Sequence, residues 1–194
     1  IKATTNQAGV ISKHGNIILE SVDLTIDSQG WAAACIGTDH GDVTIQDSTL
    51  NLHTGNDGLF IEGDITVIDS DINISARFNA GIVAGYFLDG NYEPGVTPGR
   101  TITFSGNSNI SIDAASAAYG ICVQGKLLLE DPVSITARGS AAAFGIFEGI
   151  ELKNMAVTEP MDGVITPPAG NSKIHTVRSG ETIAASAKLE PVQL

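Results

Sequence analysis

The sequence predicts an all-β protein, a single-stranded right-handed parallel β-helix of about six to seven rungs with a C-terminal cap or hairpin. The main observation is a repeat: GDVTIQDSTLNLHTGNDGLFIE at 41–62 is followed directly by GDITVIDSDINISARFNAGIVA at 63–84. The chain also has 22 glycines and only 5% aromatic residues. That composition favours short strands joined by tight turns.

Each repeat unit begins with two strands of alternating apolar and polar residues. The first strands carry the apolar pairs Ile17/Leu19, Val43/Ile45, Ile65/Val67, Ile102/Phe104, Leu127/Leu129 and Ile150/Leu152. After a turn at Asp, Asn or Ser, the second strands carry Leu24/Ile26, Leu50/Leu52, Ile72/Ile74, Ile110/Ile112, Val133/Ile135 and, less regularly, Met155/Val157. Because alternation puts each pair on one face of its strand, we expect these pairs to face the core.

A third, glycine-led strand closes each unit and is apolar on both alternations. Its copies are AGVIS at 8–12, AACIG at 33–37, DGLFI at 57–61, AGIVA at 80–84, YGICV at 119–123, FGIFE at 144–148 and DGVIT at 162–166. If Val10, Leu59, Ile82, Ile121, Ile146 and Val164 point inward, the outward row is Ile11, Phe60, Val83, Cys122, Phe147 and Ile165, with Cys35 joining it. An exposed apolar stripe is abnormal for a soluble monomer. We therefore expect the insertion or the tail to cover it; the alternatives are a partner or ligand that binds there, or a homo-oligomer formed through this row.

Units of about 22 to 26 residues with three short strands cannot bury their apolar face alone, so copies must stack around one core. A leucine-rich repeat would need a helical segment in each unit, and a propeller blade needs about 40 residues. A parallel β-helix satisfies the pattern, with right-handed coils by the crossover rule.

The repeat divides the chain into a β-helix at 1–170 and a capping segment at 171–194. A Gly/Pro-rich stretch, GYFLDGNYEPGVTPGR, interrupts the pattern at 85–100 and is expected to leave the coil as a loop. The first residues already match the third strand of a unit, so we expect an earlier part of a longer protein to precede them.

The formal net charge of −12 comes from 22 acidic and 10 basic residues. It disfavours nucleic acid and anionic membrane surfaces as partners. No stretch approaches the ~18 apolar residues of a membrane span, so membrane insertion is not expected.

The outward positions of the second strands carry short hydroxyl, amide and carboxylate side chains, including Asn51, Asp71 and Asn73. A flat grid of such groups could bind a glycan, although any solvated strand face uses the same residues. The aromatic candidates for stacking on a sugar ring are Trp31, Tyr86 and Tyr92. Their alternative role is packing over the edges of the rungs.

Asp47, Asp69, Asp131 and Asn154 follow the first strands and can each close an Asx-type turn. The alternative is a Ca²⁺ ion shared between stacked carboxylates such as Asp47 and Asp69. No other cofactor is indicated. Cys35 and Cys122 lie three rungs apart, roughly 14 Å, which is beyond the reach of a disulfide.

Polysaccharide lyases with this architecture need a cluster of carboxylates aligned with a Lys or Arg. The outward positions of the first strands form no such cluster, and the four histidines show no ligand spacing. We therefore assign no catalytic residue.

With its rungs written out, the chain resembles the pectin-lyase-like superfamily of right-handed β-helices. Units such as GDVTIQDSTLNLHT and YGICVQGKLLLEDPVSITARG are similar to repeat domains of large adhesin-like, carbohydrate-binding surface proteins of gut anaerobic bacteria. The resemblance implies an extracellular or cell-surface location in a bacterium and a non-catalytic module that binds polysaccharide or glycan. The alternatives are a purely structural stalk and a degenerate β-helix polysaccharide lyase or glycoside hydrolase.

Overall fold

The computed structural model describes residues 1–5, 9–28, 30, 34–85, 99–130, 132–168 and 173–192. These residues form 23 strands and no helix. The first eighteen strands wind into a β-solenoid of about five turns, which confirms the all-β, stacked parallel prediction and is close to the six to seven rungs expected. The predicted loop at 85–100 falls mostly outside the described residues.

Each coil contributes one strand to each of three parallel sheets. Sheet 1 contains β3 (Ile17–Glu20), β6 (Val43–Gln46), β9 (Ile65–Ile68), β12 (Thr101–Ser105), β15 (Lys126–Glu130) and β18 (Gly149–Lys153). Sheet 2 contains β1 (Lys2–Thr5), β4 (Asp23–Ser28), β7 (Thr49–Thr54), β10 (Asp71–Ala76), β13 (Asn109–Ala114) and β16 (Ser134–Gly139). Sheet 3 contains β2 (Val10–Ser12), β5 (Ile36–Thr38), β8 (Leu59–Ile61), β11 (Ala80–Ala84), β14 (Tyr119–Val123) and β17 (Ala142–Ile146).

The register of the sheets follows the apolar alternation. Ile72 lies opposite Leu50 on one side and Ile110 on the other. Strands β10 and β13 alternate exposed and buried residues along their whole length. The inward side chains of all three sheets form one continuous core, in which each fully buried Val, Leu or Ile contributes about 1.5–3 kcal/mol.

The corner between sheets 1 and 2 is a polar turn that repeats in successive coils. Asp47 and Asp69 both adopt φ = 48°, in the left-handed region where Asn and Asp are the best-tolerated residues after glycine. Behind them lies a ladder of buried serines. The Ser48 amide donates to Ser70 Oγ at 3.1 Å, and the Ser70 amide donates to Ser108 Oγ at 3.2 Å. Asp47 and Asp69 thus both lie at the corner between the strands, in the backbone conformation of a tight turn.

The start of each sheet 3 strand explains why these strands carry apolar residues at both odd and even positions. Here Gly58 and Leu59 both face the core, and a Cβ added to Gly58 would lie 2.6 Å from Ile74 Cγ2. In the preceding coil, Cys35 takes the same inward position as Gly58 and is fully buried in the core. The expectation that Cys35 joins the outward row is therefore wrong, because two successive inward residues shift the alternation by one position.

The C-terminal end departs from the parallel pattern. Its strands are β19 (Met155–Glu159), β20 (Gly163–Thr166), β21 (Thr176–Ser179), β22 (Thr182–Ile183) and β23 (Ser186–Pro191). Strand β23 inserts antiparallel between β16 and β19, and β20, β21 and β22 form a separate antiparallel sheet. The last parallel coil thus ends at β18. Val164, expected to point inward in a further rung, is 54% exposed.

Candidate ligand-binding face

The outward residues of sheet 2 form three rows across the coils, which we call the polar face. The rows are Asp23–Thr49–Asp71–Asn109–Ser134, Lys2–Thr25–Asn51–Asn73–Ser111–Thr136 and Thr4–Asp27–His53–Ser75–Asp113–Arg138. The apolar repeat aligns Val133/Ile135 with Ile110/Ile112 and so predicts Ser134 beside Ser111 and Thr136 beside Asp113, but each lies one row earlier, beside Asn109 and Ser111. The reason is that Ile135 aligns with Ile110, so that the small Ala137 takes the next inward site.

All three predicted polar candidates lie together on this face. Asp71 and Asn73 belong to β10, and Asn51 lies directly opposite Asn73 on β7. Asn73 Nδ2 donates to Asn51 Oδ1 at 3.2 Å, so the two amides form a short ladder between coils. Asn73 Oδ1 can then accept a hydrogen bond from a ligand, and Asn51 Nδ2 can donate one.

Acidic and basic groups also face each other on the polar face. Asp113 lies opposite Arg138, and Asp27 lies opposite His53. Lys188 of the inserted strand β23 lies opposite Thr136 and extends the face. Carboxylate, amide, hydroxyl and guanidinium groups together can both donate hydrogen bonds to sugar hydroxyls and accept hydrogen bonds from them.

An exposed aromatic ring stands where β10 leaves the polar face. Phe78 is 55% exposed, next to the exposed Arg77. Such a ring can stack on the apolar face of a sugar. Sequence reasoning missed it, since ARFNAG reads as an ordinary turn. The predicted stacking residues Trp31, Tyr86 and Tyr92 lie outside the described residues.

Asp57 is the one buried acidic residue in the part of the chain that the structure describes. Its carboxylate accepts from Asn79 Nδ2 at 2.8 and 3.0 Å and from the Ala80 amide at 3.0 Å. Burial raises the pKa of Asp57 to about 6, and the hydrogen bonds from Asn79 and Ala80 lower it only in part. At 2% exposure it is closed to a substrate. We therefore assign it a structural role, joining two coils.

The two thiols are buried and free. Burial raises the pKa of Cys35 to about 11. Burial, with a smaller contribution from the nearby Asp57 charge, raises that of Cys122 further. Since the thiolate is the reactive form, neither cysteine is suited to act as a nucleophile at neutral pH.

The outer face of sheet 1 carries two pairs of one lysine and one glutamate. Lys126 Nζ lies 2.7 Å from Glu151 Oε1, and Lys153 forms an ion pair with Glu130. Hydrogen bonding to Glu151 holds the pKa of Lys126 above its usual value, and hydrogen bonding to Glu130 does the same for Lys153. Both lysines are therefore held protonated, which does not suit a general base.

The weak metal candidates Asp47 and Asp69 use their carboxylates locally. Asp69 Oδ1 accepts the Asn107 amide at 2.8 Å, and Asp47 Oδ2 accepts Gln46 Nε2 at 3.2 Å. In the described ranges, no three His, Cys, Asp or Glu side chains are grouped so that they could hold a metal ion.

The outward row of sheet 3 is not a continuous exposed stripe. Val83 and Cys122 are 2% and 6% exposed and pack with Phe60 and Tyr119. Cys122 lies opposite Gly145 and not, as expected, in register with Phe147. Of this row, Ile11 is the member whose side chain is mainly exposed, at 51%. The outward row thus exposes less apolar surface for a homo-oligomer than the sequence predicts.

Within the described ranges, no helix has the length and apolar character of a membrane span. In comparisons with known proteins, the chain matches no family model, no curated protein and no solved structure.

Proposed function

We propose that the protein is a non-catalytic β-solenoid module of an extracellular or cell-surface, adhesin-like bacterial protein, and that its polar face binds polysaccharide or glycan. The observation that carries this proposal is the continuous grid of amide, hydroxyl and carboxylate side chains across sheet 2, centred on Asn51, Asp71 and Asn73. The exposed ring of Phe78 at its border adds a stacking surface.

The solenoid gives this face two properties that suit an extended polymer. Six parallel strands at about 4.8 Å spacing make a surface about 24 Å wide, held flat by backbone hydrogen bonds. Its short side chains lose little rotamer entropy when they bind, so the site is largely pre-organised. A chain of repeating sugars would then meet similar groups at a constant spacing.

A purely structural stalk is the second candidate, favoured by the serine ladder through Ser48, Ser70 and Ser108. Together with the continuous core, this ladder stiffens the coil whether or not a ligand binds. A spacer would bind no glycan, so a binding measurement separates the two functions.

We expect the purified protein to bind at least one member of a panel of glucans, pectins and host glycans. The double variant Asn51→Ala/Asn73→Ala should weaken that binding about tenfold or more, because each lost hydrogen bond costs about 1 kcal/mol. Affinity electrophoresis or microarray binding with the soluble polymers measures the loss.

The matched control is Thr44→Ala/Thr66→Ala, two residues that lie opposite each other on the outer face of sheet 1. It should leave affinity unchanged. Absence of binding to the whole panel would favour the stalk. Equal losses in the two double variants would show that the polar face is not the binding surface.

A further inference from the structure

Two histidines stack at the corner where sheet 3 leads into sheet 1. His14 and His40 each precede a glycine, and Gly15 and Gly41 lie against each other in adjacent coils. The Gly15 amide donates to the His40 carbonyl at 2.9 Å, which fixes the two turns side by side. The imidazole rings are 5.5 Å apart between centroids, their planes differ by 11°, and both residues are exposed.

A carboxylate from the next coil orients one of these rings. His40 Nδ1 lies 3.1 Å from Glu62 Oε2. The carboxylate thus lies beside Nδ1 and leaves Nε2, the other ring nitrogen, available as a metal ligand. A carboxylate next to one nitrogen of a histidine is the usual partner of a metal-ligating imidazole, since it helps to fix the orientation of the ring.

We propose that His14 and His40 form a two-imidazole site for a divalent ion of the Zn²⁺, Ni²⁺ or Cu²⁺ class, with Glu62 as a positioning residue. Imidazole nitrogen suits these metals, whereas Ca²⁺ and Mg²⁺ prefer oxygen. The site lies at a different corner from the polar face and does not depend on glycan binding.

The geometry agrees with the spacing that one ion requires. Zn–N bonds of about 2.0–2.1 Å put two nitrogens of a tetrahedral site about 3.3 Å apart. A zinc ion lies about 3.2 Å from the centre of a ligating imidazole, so two ring centres of a tetrahedral site lie about 5.2 Å apart. The observed 5.5 Å is close to this separation, and the exposed rings need to rotate out of their stacked orientation to bind one ion. Because the described residues provide no group of three ligands, water completes the coordination and the affinity is modest.

Binding at this corner links two successive coils, and the formal charge of −12 favours a cation. An ion held only by the folded state stabilises it by mass action. Occupancy should therefore appear both as heat of binding and as a rise in melting temperature.

The test titrates ZnCl₂ into the purified protein by isothermal calorimetry and repeats thermal unfolding with and without Zn²⁺. His14→Ala and His40→Ala should each weaken Zn²⁺ binding at least tenfold and abolish the rise in melting temperature. His53→Ala, which removes an exposed histidine of the polar face, is the matched control and should change neither. Circular dichroism verifies that every variant is folded.

Glu62→Gln has a separate readout. Long-range ¹H–¹⁵N NMR of neutral His40 should show the Nδ1–H tautomer in the wild-type protein and a mixture in Glu62→Gln, with weaker Zn²⁺ affinity. The proposal is overturned if Zn²⁺ does not bind, if His53→Ala weakens binding as much as His14→Ala, or if CaCl₂ binds equally well. An unchanged tautomer and affinity in Glu62→Gln would overturn the positioning role.

Discussion

Replacing Phe104 by alanine should destabilise the protein by about 3–5 kcal/mol, the largest effect we expect from a single substitution. Phe104 is fully buried in β12, where it lies opposite Val67 in the coil before and Leu129 in the coil after. The neighbouring strands are fixed by their backbone hydrogen bonds, so they cannot collapse into the cavity. Guanidinium denaturation followed by circular dichroism measures the loss.

Thr103→Ala provides the matched control, since Thr103 is the adjacent outward residue of the same strand and lies opposite Thr66 and Leu128. It should change stability by about 0.5 kcal/mol or less. If Phe104→Ala cost no more than Thr103→Ala, the inward position of Phe104 and the shared core would both be wrong.

The second large effect is a pH dependence that comes from Asp57. The folded protein raises the pKa of this carboxyl from its usual 3.8 to about 6, mainly through burial. The folded state thus holds the proton more tightly than the unfolded state. This contribution to stability is fully present below about pH 4 and is lost as the pH rises through about 6. The total change is on the order of 3 kcal/mol.

Asp57→Asn isolates this contribution because the amide does not titrate. Between pH 4 and pH 7.5, the unfolding free energy of the wild type should fall by about 2.4 kcal/mol relative to that of Asp57→Asn, and by more if the comparison starts at a lower pH. The other carboxylates act equally on both proteins and cancel in this difference. A difference that stays constant with pH would contradict the raised pKa of the buried carboxyl.

The repeat made the fold predictable because each period of the apolar pattern forms one coil of the solenoid. In sheets 1 and 2 the expected inward pairs, such as Leu50/Leu52 and Ile72/Ile74, are buried in register. The two most similar units, at 41–62 and 63–84, form the regular middle of this core. In these coils, the polar face followed from alternation alone.

Features that break the regular alternation of inward and outward residues, or the parallel order of the strands, could not be predicted in the same way. Strict alternation predicts an outward Cys35 because it ignores the extra inward residue at the start of each sheet 3 strand. The repeat does not predict strand β23 inside sheet 2, because an antiparallel strand from the tail does not belong to the repeating pattern.

The clusters missed by sequence reasoning are created by stacking. Asp57 and Asn79 are 22 residues apart, and so are His40 and Glu62, a separation of one coil in each case. A search at the coil period, and not at the spacing of a local motif, would have found both pairs.

The central claim is that residues one coil apart lie side by side. Chemical cross-linking of Asn51→Cys/Asn73→Cys with a short bis-methanethiosulfonate tests it most directly, because these positions are opposed on β7 and β10. The native cysteines are buried and should not compete. The control pair, Asn51→Cys/Thr66→Cys, is closer in sequence but lies on two different sheets. We expect rapid intramolecular cross-linking, read by mass spectrometry, for 51/73 and little for 51/66; preferential cross-linking of 51/66 would contradict the solenoid.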